Sequence, residues 1–449
     1  MRTALRLLAA RRDLRLVLLA GLISQTGDWI LTVGMLYRVY AMTGSTIMSA
    51  LAYAASFAPQ ILIGSVAGVF ADRWDRKRMM VTANLLQAAG LLPLLTVHDA
   101  GRVWIVFAVL FWEGTVQQFF IPAEQATVPR LVDRDQLLAA NALSGQVTSV
   151  SRLAGAGLGG VIGAVGGIAA VTFADAASFA TSAGLLGLMS AADRMAAAGR
   201  ITAMAATAAT GRGAARRLGR LGRLGEELRD GLRVAAGDRV LRGLLVFVLV
   251  TSVGQGVFGT LFAPFVERVL HGSSTEYGLV MGAQAIGGIL GGLVATMMSS
   301  RVSATRLATL GAIGFGAVDL AVFLYPLGYL AVWPAVAGMI IVGIPGALEV
   351  AGLITLFQQH TEDAYRGRIF GALNAVEGVM VLTGTLGAGF LARPLGIVPV
   401  LAVQGAACVL AGAGLLMWLG TSGEASAFTG NHDVEEESPS VMREDKLDA

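Results

Sequence analysis

Residues 68–78 read Gly-Val-Phe-Ala-Asp-Arg-Trp-Asp-Arg-Lys-Arg, a short and strongly basic stretch. Apolar runs flank it on both sides, over residues 46–70 and 79–98. Each run is close to the length of about 20 apolar residues that a helix needs to cross a bilayer. The stretch therefore predicts a tight loop at a membrane surface, between two transmembrane helices.

Apolar runs of similar length occupy most of the 449 residues. Charged residues make up 14% of the chain, whereas a water-soluble protein carries about 25%. The 59 glycines favour helices that pack closely in lipid. We predict an all-α polytopic membrane protein with twelve transmembrane helices. The predicted spans are 16–40, 46–70, 79–98, 103–122, 143–165, 168–190, 241–265, 276–298, 306–326, 330–355, 368–391 and 396–419.

Basic residues gather at alternate ends of these spans. If the amino terminus is cytoplasmic, 28 of the 33 Lys and Arg residues fall on the cytoplasmic side. This positive-inside asymmetry predicts an even number of spans with both termini in the cytoplasm. We therefore expect a multi-pass protein of the bacterial inner (cytoplasmic) membrane. The basic residues form no continuous face, so nucleic acid is not an expected partner.

A polar break divides the spans into two sets of six. We predict an amino-terminal six-helix bundle over residues 1–190, a cytoplasmic linker over 191–240, a carboxyl-terminal six-helix bundle over 241–419 and a disordered acidic tail over 420–449. Similar segments at 64–73 and 292–301, and again at 125–145 and 358–378, favour duplication of a six-helix unit.

Five leucines in the linker are spaced by three or four residues, which places them on one helical face. This pattern favours an amphipathic helix along the inner membrane surface, with a solvated linker as the alternative. The leucines are Leu218, Leu221, Leu224, Leu228 and Leu232.

The basic loop resembles the hallmark loop of the major facilitator superfamily, G-x-x-x-D-R-x-G-R-R/K, with Asp75 in place of its glycine. The resemblance implies a conformational gating motif in which Asp72 approaches the start of span eleven. A loop that only fixes topology is the alternative. The motif residues are Gly68, Asp72, Arg73, Arg76, Lys77, Arg366 and Arg368.

Further segments resemble the branch of siderophore exporters and macrolide-efflux pumps. They are Gln25-Thr-Gly-Asp28-Trp29, Pro122-Ala-x-Gln125 and Leu138-Ala-Ala-Asn141. The run Gly155-Ala156-Gly157-Leu-Gly159-Gly160 resembles the end of an antiporter motif, with Ala156 replacing its proline. The resemblance implies alternating access in a monomer that is driven by the proton gradient, without a cofactor or metal.

Ionisable residues inside the spans are candidates for proton coupling, because a charge in lipid costs on the order of a few kcal/mol. Asp28 and Glu113 lie near mid-membrane in spans one and four, and Glu377 lies in span eleven. The family places spans six and nine at the periphery, which ranks these three residues above Asp175 and Asp319. A proton and a substrate that compete for such a carboxylate would produce antiport.

Arginine partners provide the structural alternative for these carboxylates. Asp28 or Glu113 could pair with Arg38 or Arg152 and hold helices together, and Arg152 could equally bind an anion. Glu377 could be a capped or water-exposed structural residue. The five proton-coupling candidates therefore are Asp28, Glu113, Glu377, Arg152 and Arg38.

Polar and aromatic residues on the expected cavity helices would suit an amphipathic organic ligand. Helix packing is the alternative role for each of them. They are Gln25, Trp29, Trp112, Gln117, Gln255, Phe258 and Gln284.

The leading functional hypothesis is proton-coupled efflux of a small drug- or siderophore-like compound by a secondary active transporter. Its alternatives are proton-coupled uptake of a metabolite and a non-transporting or lipid-handling role. The chain has no G-x-x-x-x-G-K-[ST] motif for ATP and no H-E-x-x-H metal motif, so we do not expect an ATP-driven pump or an enzyme.

Overall fold

The computed structural model describes residues 10–71, 74–133, 136–189, 233, 237–298, 301–361 and 363–420. These residues are almost entirely helical, with no strand among them. The amphipathic helix predicted at 218–232 and the tail predicted beyond residue 420 lie outside the described residues, as do Asp72 and Arg73.

The described residues form twelve long helices. They are α1 (Arg12–Thr43), α2 (Thr46–Ala71), α3 (Arg76–Gly90), α4 (Val103–Thr127), α5 (137–166), α6 (168–187), α7 (Arg239–Pro264), α8 (Ser274–Met298), α9 (Ala304–Leu324), α10 (Trp333–Gln359), α11 (Asp363–Leu395) and α12 (Ile397–Gly420). Short 3-10 turns extend α3 over Leu92–Thr96 and follow α4 and α9, and a π turn over Phe265–Val269 extends α7.

Helices α5 and α6 follow each other directly and together span Leu137–Gly187. Counted as one segment, they leave eleven segments in the described ranges that are long and apolar enough to cross a membrane. Gly167 breaks this stretch with φ 60° and ψ −151°. That backbone conformation is accessible almost only to glycine. The break falls between the predicted spans 143–165 and 168–190, which confirms their separation.

Contacts with α1 show that the chain reverses direction at Gly167. On α5, Gly155 lies against Thr26, and Gly163 lies closest on α1 to Gly34. On α6, Val171 packs against Gly34 and Asp175 against Gly27. The order of contacts along α1 thus inverts between the two helices, so α5 and α6 are antiparallel neighbours that both pack on α1.

One helix in each six-helix bundle, α3 and α9, begins with a side-chain cap at an equivalent position. Asp75 caps α3 by accepting a hydrogen bond from the Arg78 backbone N–H at 2.8 Å. Ser303 caps α9 by accepting one from the Arg306 N–H at 3.4 Å. Both pairs are 228 positions apart, the same offset as between the segments 64–73 and 292–301. The shared offset supports the predicted duplication, which stays a prediction, and Asp75 is a helix cap where the resembling loop has glycine.

The even number of helices puts Arg12 and Gly420 on the same side of the membrane, which we call the terminal side; the opposite side is the far side. The two bundles meet directly at the far side. Thr46 Oγ1 of α2 donates to the Gly389 carbonyl of α11 at 2.8 Å, and Tyr37 Oη donates to the Gly272 carbonyl at 3.0 Å. A large buried apolar cluster, which includes Tyr37, Phe262 and Tyr277, joins the bundles there.

Helices α5 and α8 touch backbone to backbone near the far side. A Cβ at Gly160 would lie 2.6 Å from the Ser274 carbonyl oxygen and 2.8 Å from the Gly278 Cα. A Cβ at Gly278 would in turn lie 2.6 Å from the Ala156 carbonyl oxygen. Only glycine permits such an approach, so this contact depends on both glycines.

The same two helices separate towards the terminal side. Gly145 on α5 and Gly288 and Gly292 on α8 have no described atom within 4 Å of the position of a Cβ. Gly145 and Gly292 lie on roughly the same sides of α5 and α8 as the Gly160–Gly278 contact. Among the described residues, the space between the bundles is therefore closed at the far side and open between α5 and α8 at the terminal side.

Candidate functional site

Four residues from both bundles form what we call the central site: Trp29 of α1, Tyr53 of α2, Arg152 of α5 and Gln284 of α8. The Arg152 Nη2 donates a hydrogen bond to Gln284 Oε1 across the boundary between the bundles. The Arg152 Cζ lies 5.3 Å from the centroid of the Trp29 ring, a cation–π contact. Both contacts lie where α5 and α8 begin to separate.

Aromatic rings lie next to the central site in both bundles, on α2 and on α7. Tyr53 packs on Gly259 of α7, where a Cβ would overlap its ring, and its centroid lies 5.3 Å from that of Phe57. On α7, Phe258 stacks on Phe262 with centroids 4.4 Å apart. Tyr53 is also within coulombic range of Arg152 and of the partly buried Glu377 on α11. The arrangement offers flat apolar surfaces beside one cation and one carboxyl group.

A second polar region lies inside the amino-terminal bundle. Asp28 of α1, Glu113 of α4 and Asp175 of α6 are within coulombic range of one another, and we call them the acidic cluster. Glu113 is 6% exposed and Asp175 is 0% exposed, whereas Asp28 keeps part of its surface accessible. Asp175 Oδ1 accepts from Ser178 Oγ at 3.1 Å. Two deeply buried carboxyl groups are thus connected to an accessible one.

Amides link the acidic cluster to neighbouring helices. The Gln87 Nε2 of α3 donates to Gln117 Oε1 at 3.2 Å, and the Gln117 Nε2 is 3.5 Å from Asp28 Oδ2. Among the described residues, neither oxygen of Glu113 nor the buried Gln87 Oε1 accepts a hydrogen bond of good geometry, although the Gln87 side chain lies close to Glu113. The region therefore holds several buried acceptors and few donors.

The acidic cluster has no cation in the described part of the chain. Arg38 lies beside Gly167 at the turn between α5 and α6, and Arg152 belongs to the central site. Neither arginine forms an ion pair with Asp28 or Glu113 there. No group of three or more His, Cys, Asp or Glu side chains in the described ranges is arranged to hold a metal ion.

The acidic face of α4 continues towards the terminal side. Glu113, Gln117 and Glu124 share one helical face by their spacing of four and seven residues. A Cβ at Gly21 of α1 would lie 2.8 Å from Glu124 Oε1 and 3.5 Å from Gln25 Nε2. A line of polar side chains thus follows the contact between α1 and α4, from Glu124 through Gln25 and Gln117 to Asp28.

The carboxyl-terminal bundle also contains buried carboxyl groups. Asp319 of α9 accepts from Gln404 Nε2 of α12 at 3.2 Å, and Glu349 of α10 is within coulombic range of Asp319. This pair lies away from the central site.

The remaining predicted cavity residues have different surroundings. Gln255 is exposed on α7, one turn from Gly259 on the same side as the central site. Trp112 is 40% exposed and packs on α3, where its Nε1 donates to the Leu86 carbonyl at 3.1 Å. It therefore lies apart from the central site.

The basic loop is attached to its own bundle. Arg76 Nη1 donates to the Ala126 carbonyl at the end of α4 at 2.6 Å. Lys77 Nζ donates to the Gly187 and Met189 carbonyls at the end of α6, each at 2.7 Å. Both cations thus satisfy helix carboxyl ends, where positive charge is favourable.

The rest of the proposed gating motif is only partly described. Gly68 lies in α2, and Arg366 and Arg368 lie in α11, but their side chains are outside the described residues, as is the whole of Asp72.

Three residues of these sites were not among the sequence candidates: Asp175, Glu124 and Tyr53. The expected peripheral position of span six set Asp175 aside. The pairing of Gly27 with Asp175 becomes visible only when α1 and α6 pack together. The spacing of Glu113, Gln117 and Glu124 on one helical face was a signal in the sequence that could have pointed to Glu124.

Comparison with known proteins identifies the family of this architecture. The family model for transmembrane secretion effectors, within the major facilitator superfamily, matches residues 9–438. Macrolide efflux protein A of Streptococcus pyogenes is 32% identical over 124 residues, which is 27% of this chain and 31% of that protein. The match therefore spans about a third of that relative's length.

Two further similarities cover nearly the whole chain. The MFS-type transporter YvqJ of Bacillus subtilis is 22% identical over 413 residues, 91% of this chain and 92% of that protein. The crystal structure of a D-xylose-proton symporter aligns with TM-score 0.66 and 15% identity, over 91% of this chain and 97% of that one. At this identity the structural similarity concerns the fold.

Proposed function

This chain belongs to the transmembrane secretion effector family of the major facilitator superfamily and is a transporter rather than an enzyme. We propose that it exports a small amphipathic compound in exchange for protons. In this proposal the bundles alternate between opening to the terminal side and to the far side. The positive-inside pattern assigns the terminal side to the bacterial cytoplasm, so the described conformation would be open to the cytoplasm.

The observation that carries the proposal is the acidic cluster without a cation. Burying a carboxylate without a partner costs several kcal/mol or more, so groups in such places generally bind protons or cations. Asp28 is the accessible member of the cluster and lies on α1 next to Trp29 of the central site. A proton could therefore reach Glu113 and Asp175 from the same cavity that the transported compound occupies.

The central site supports an amphipathic substrate. Trp29, Tyr53 and Phe258 provide flat apolar surfaces, while Arg152, Gln284 and Glu377 provide polar ones. Export as the direction is supported by similarity to a protein named for macrolide efflux. Energy would come from the proton gradient, and the working unit would be one chain in the lipid bilayer.

Proton release from inside-out vesicles tests the proposal. The lumen is acidified by respiration and followed with a pH-sensitive dye while macrolides, lipophilic cations, siderophores, sugars and organic acids are added singly. We expect at least one compound to release protons, and the double variant Asp28→Asn, Glu113→Gln to abolish that release. Asp319→Asn is the matched control, since it removes a buried carboxyl group outside both sites.

Two outcomes would contradict proton-coupled export. If purified protein binds a compound that never releases protons, antiport fails and uniport or a binding role is favoured. If release requires the compound to be loaded inside the vesicles, the direction is uptake by proton symport, which is the alternative function.

A further inference from the structure

Arg152 is a partly buried guanidinium inside the membrane, without a counter-charge among the described residues. Its Nη2 is bonded to the neutral amide of Gln284, and its Nε is buried with no partner among the described residues. No carboxyl group in the described ranges comes within ion-pair distance of it, and this includes Glu377. A buried cation without an anion is unfavourable, and such residues inside membranes commonly serve a ligand.

The Nε–Nη2 edge of this guanidinium matches a planar anion. Nε and Nη2 lie on the same side of the guanidinium, so a carboxylate can accept from both at once. Among the described residues, Nη2 donates to the Gln284 oxygen and Nε has no acceptor, and a neutral amide is a weaker acceptor than a carboxylate. The Trp29 ring centroid lies 5.3 Å from the Arg152 Cζ, a cation–π contact that favours this position of the guanidinium. An anion could therefore replace the Gln284 amide as the acceptor.

The surroundings suit the apolar part of such a molecule. Tyr53 is within coulombic range of Arg152, and Phe258 lies on the neighbouring α7. Among the described residues, the terminal side is open beside Gly145 and Gly292, which gives a path to the central site. A flat apolar body attached to an anionic group would fill both parts of the site.

We propose that Arg152 anchors an anionic group of the transported compound, so that the central site takes aromatic or amphipathic carboxylates and related planar anions. The proposal rests on the transport function above and narrows its substrate class. It differs from a purely structural role in which Arg152 and Gln284 only hold α5 to α8.

Matched acids and esters test the anchor. Indole-3-butyric acid and naphthalene-2-acetic acid, each paired with its methyl ester, are titrated against the purified full-length protein, and binding is followed by the shift in melting temperature. The acids should bind at least about tenfold more tightly than their esters, because a hydrogen bond to a charged partner is the stronger kind.

Substitutions of Arg152 distinguish a residue that binds the substrate's anionic group from one that only holds α5 to α8. Arg152→Gln should remove the preference for the acids, and Arg152→Lys should keep part of it. Unchanged binding of the esters by Arg152→Gln shows that this variant is folded. Asp319→Asn is the control for a change at a buried carboxyl group outside both sites, and it should keep the preference.

Three results would overturn the anchor. They are equal binding of acids and esters, an acid preference that survives Arg152→Gln, and failure of both acids to bind. The vesicle assay distinguishes failure of the anchor from failure of proton antiport. Proton release by neutral or cationic compounds alone refutes the anchor but not antiport. Arg152-dependent binding without proton release refutes antiport but not the anchor.

Discussion

A methyl group at Gly160 should open the far side of the transporter. A Cβ there would lie 2.8 Å from the Gly278 Cα. Non-bonded carbon atoms prefer separations of about 3.5–4.0 Å, so the two backbones would have to move apart by roughly 0.7 Å. Overpacking of this kind costs about 1–3 kcal/mol. This cost destabilises the conformation in which α5 and α8 touch. The ratio of the conformation open at the far side to the conformation closed there should therefore rise about 5- to 150-fold.

Thiol labelling measures this change in population. The background is Cys408→Ser, which removes the chain's one cysteine. Thr46→Cys is the reporter, because Thr46 is 6% exposed and lies in the far-side contact between α2 and α11, away from Gly160. A membrane-impermeant maleimide added from the far side should modify Gly160→Ala faster than the parent, by the factor given above.

A neighbouring glycine provides the control. Gly157 lies on the same helix and has no described atom within 4 Å of its Cβ position, so Gly157→Ala should leave the labelling rate unchanged. Thr148→Cys, exposed on the terminal half of α5, reports general loosening, and its rate should not rise in Gly160→Ala. Equal rates for Gly160→Ala and Gly157→Ala would refute the idea that the glycine contact closes the far side.

Three further predictions follow from local geometry. Gly167→Ala should lower stability by about 1–3 kcal/mol, seen as a lower melting temperature, because alanine is strained at φ 60° and ψ −151°, whereas Gly184→Ala should not. Asp75→Gly should cost a few tenths of a kcal/mol to about 1 kcal/mol by removing the cap of α3, and equal melting temperatures would contradict this. Gln117→Leu should reduce substrate-induced proton release by more than it reduces substrate binding, because it breaks the amide link to Asp28; equal losses would argue for a packing role.

Sequence reasoning predicts the membrane architecture well because hydropathy and basic-residue placement act locally. The spans required only composition, and the break between residues 165 and 168 was visible as an interruption by glycine. The structure confirms it at Gly167. The basic loop was equally readable, although the role of Asp75 as a helix cap required the structure.

The sites are less accessible to sequence because they depend on how helices face each other. Asp175 was ranked below Asp28 by the family order of spans, yet α6 packs on α1 and brings the two carboxyl groups together. Arg38 was a plausible partner for Asp28 in the sequence, but in the structure Arg38 lies at the far side, beside the turn at Gly167. Rotation of each helix about its axis decides these contacts, and a single sequence constrains that rotation weakly.

The contact between Gly160 and Gly278 also makes the crossing angle of α5 and α8 important. No side chain separates the two backbones there, so while the contact is made the crossing angle sets the distance between the terminal ends of the two helices. From Gly160 to Leu137 the helix extends about 35 Å at its normal rise, so a change of about 10° in that angle displaces the terminal end by about 6 Å. The width of the terminal side therefore depends strongly on the angle at which two glycines let these helices cross.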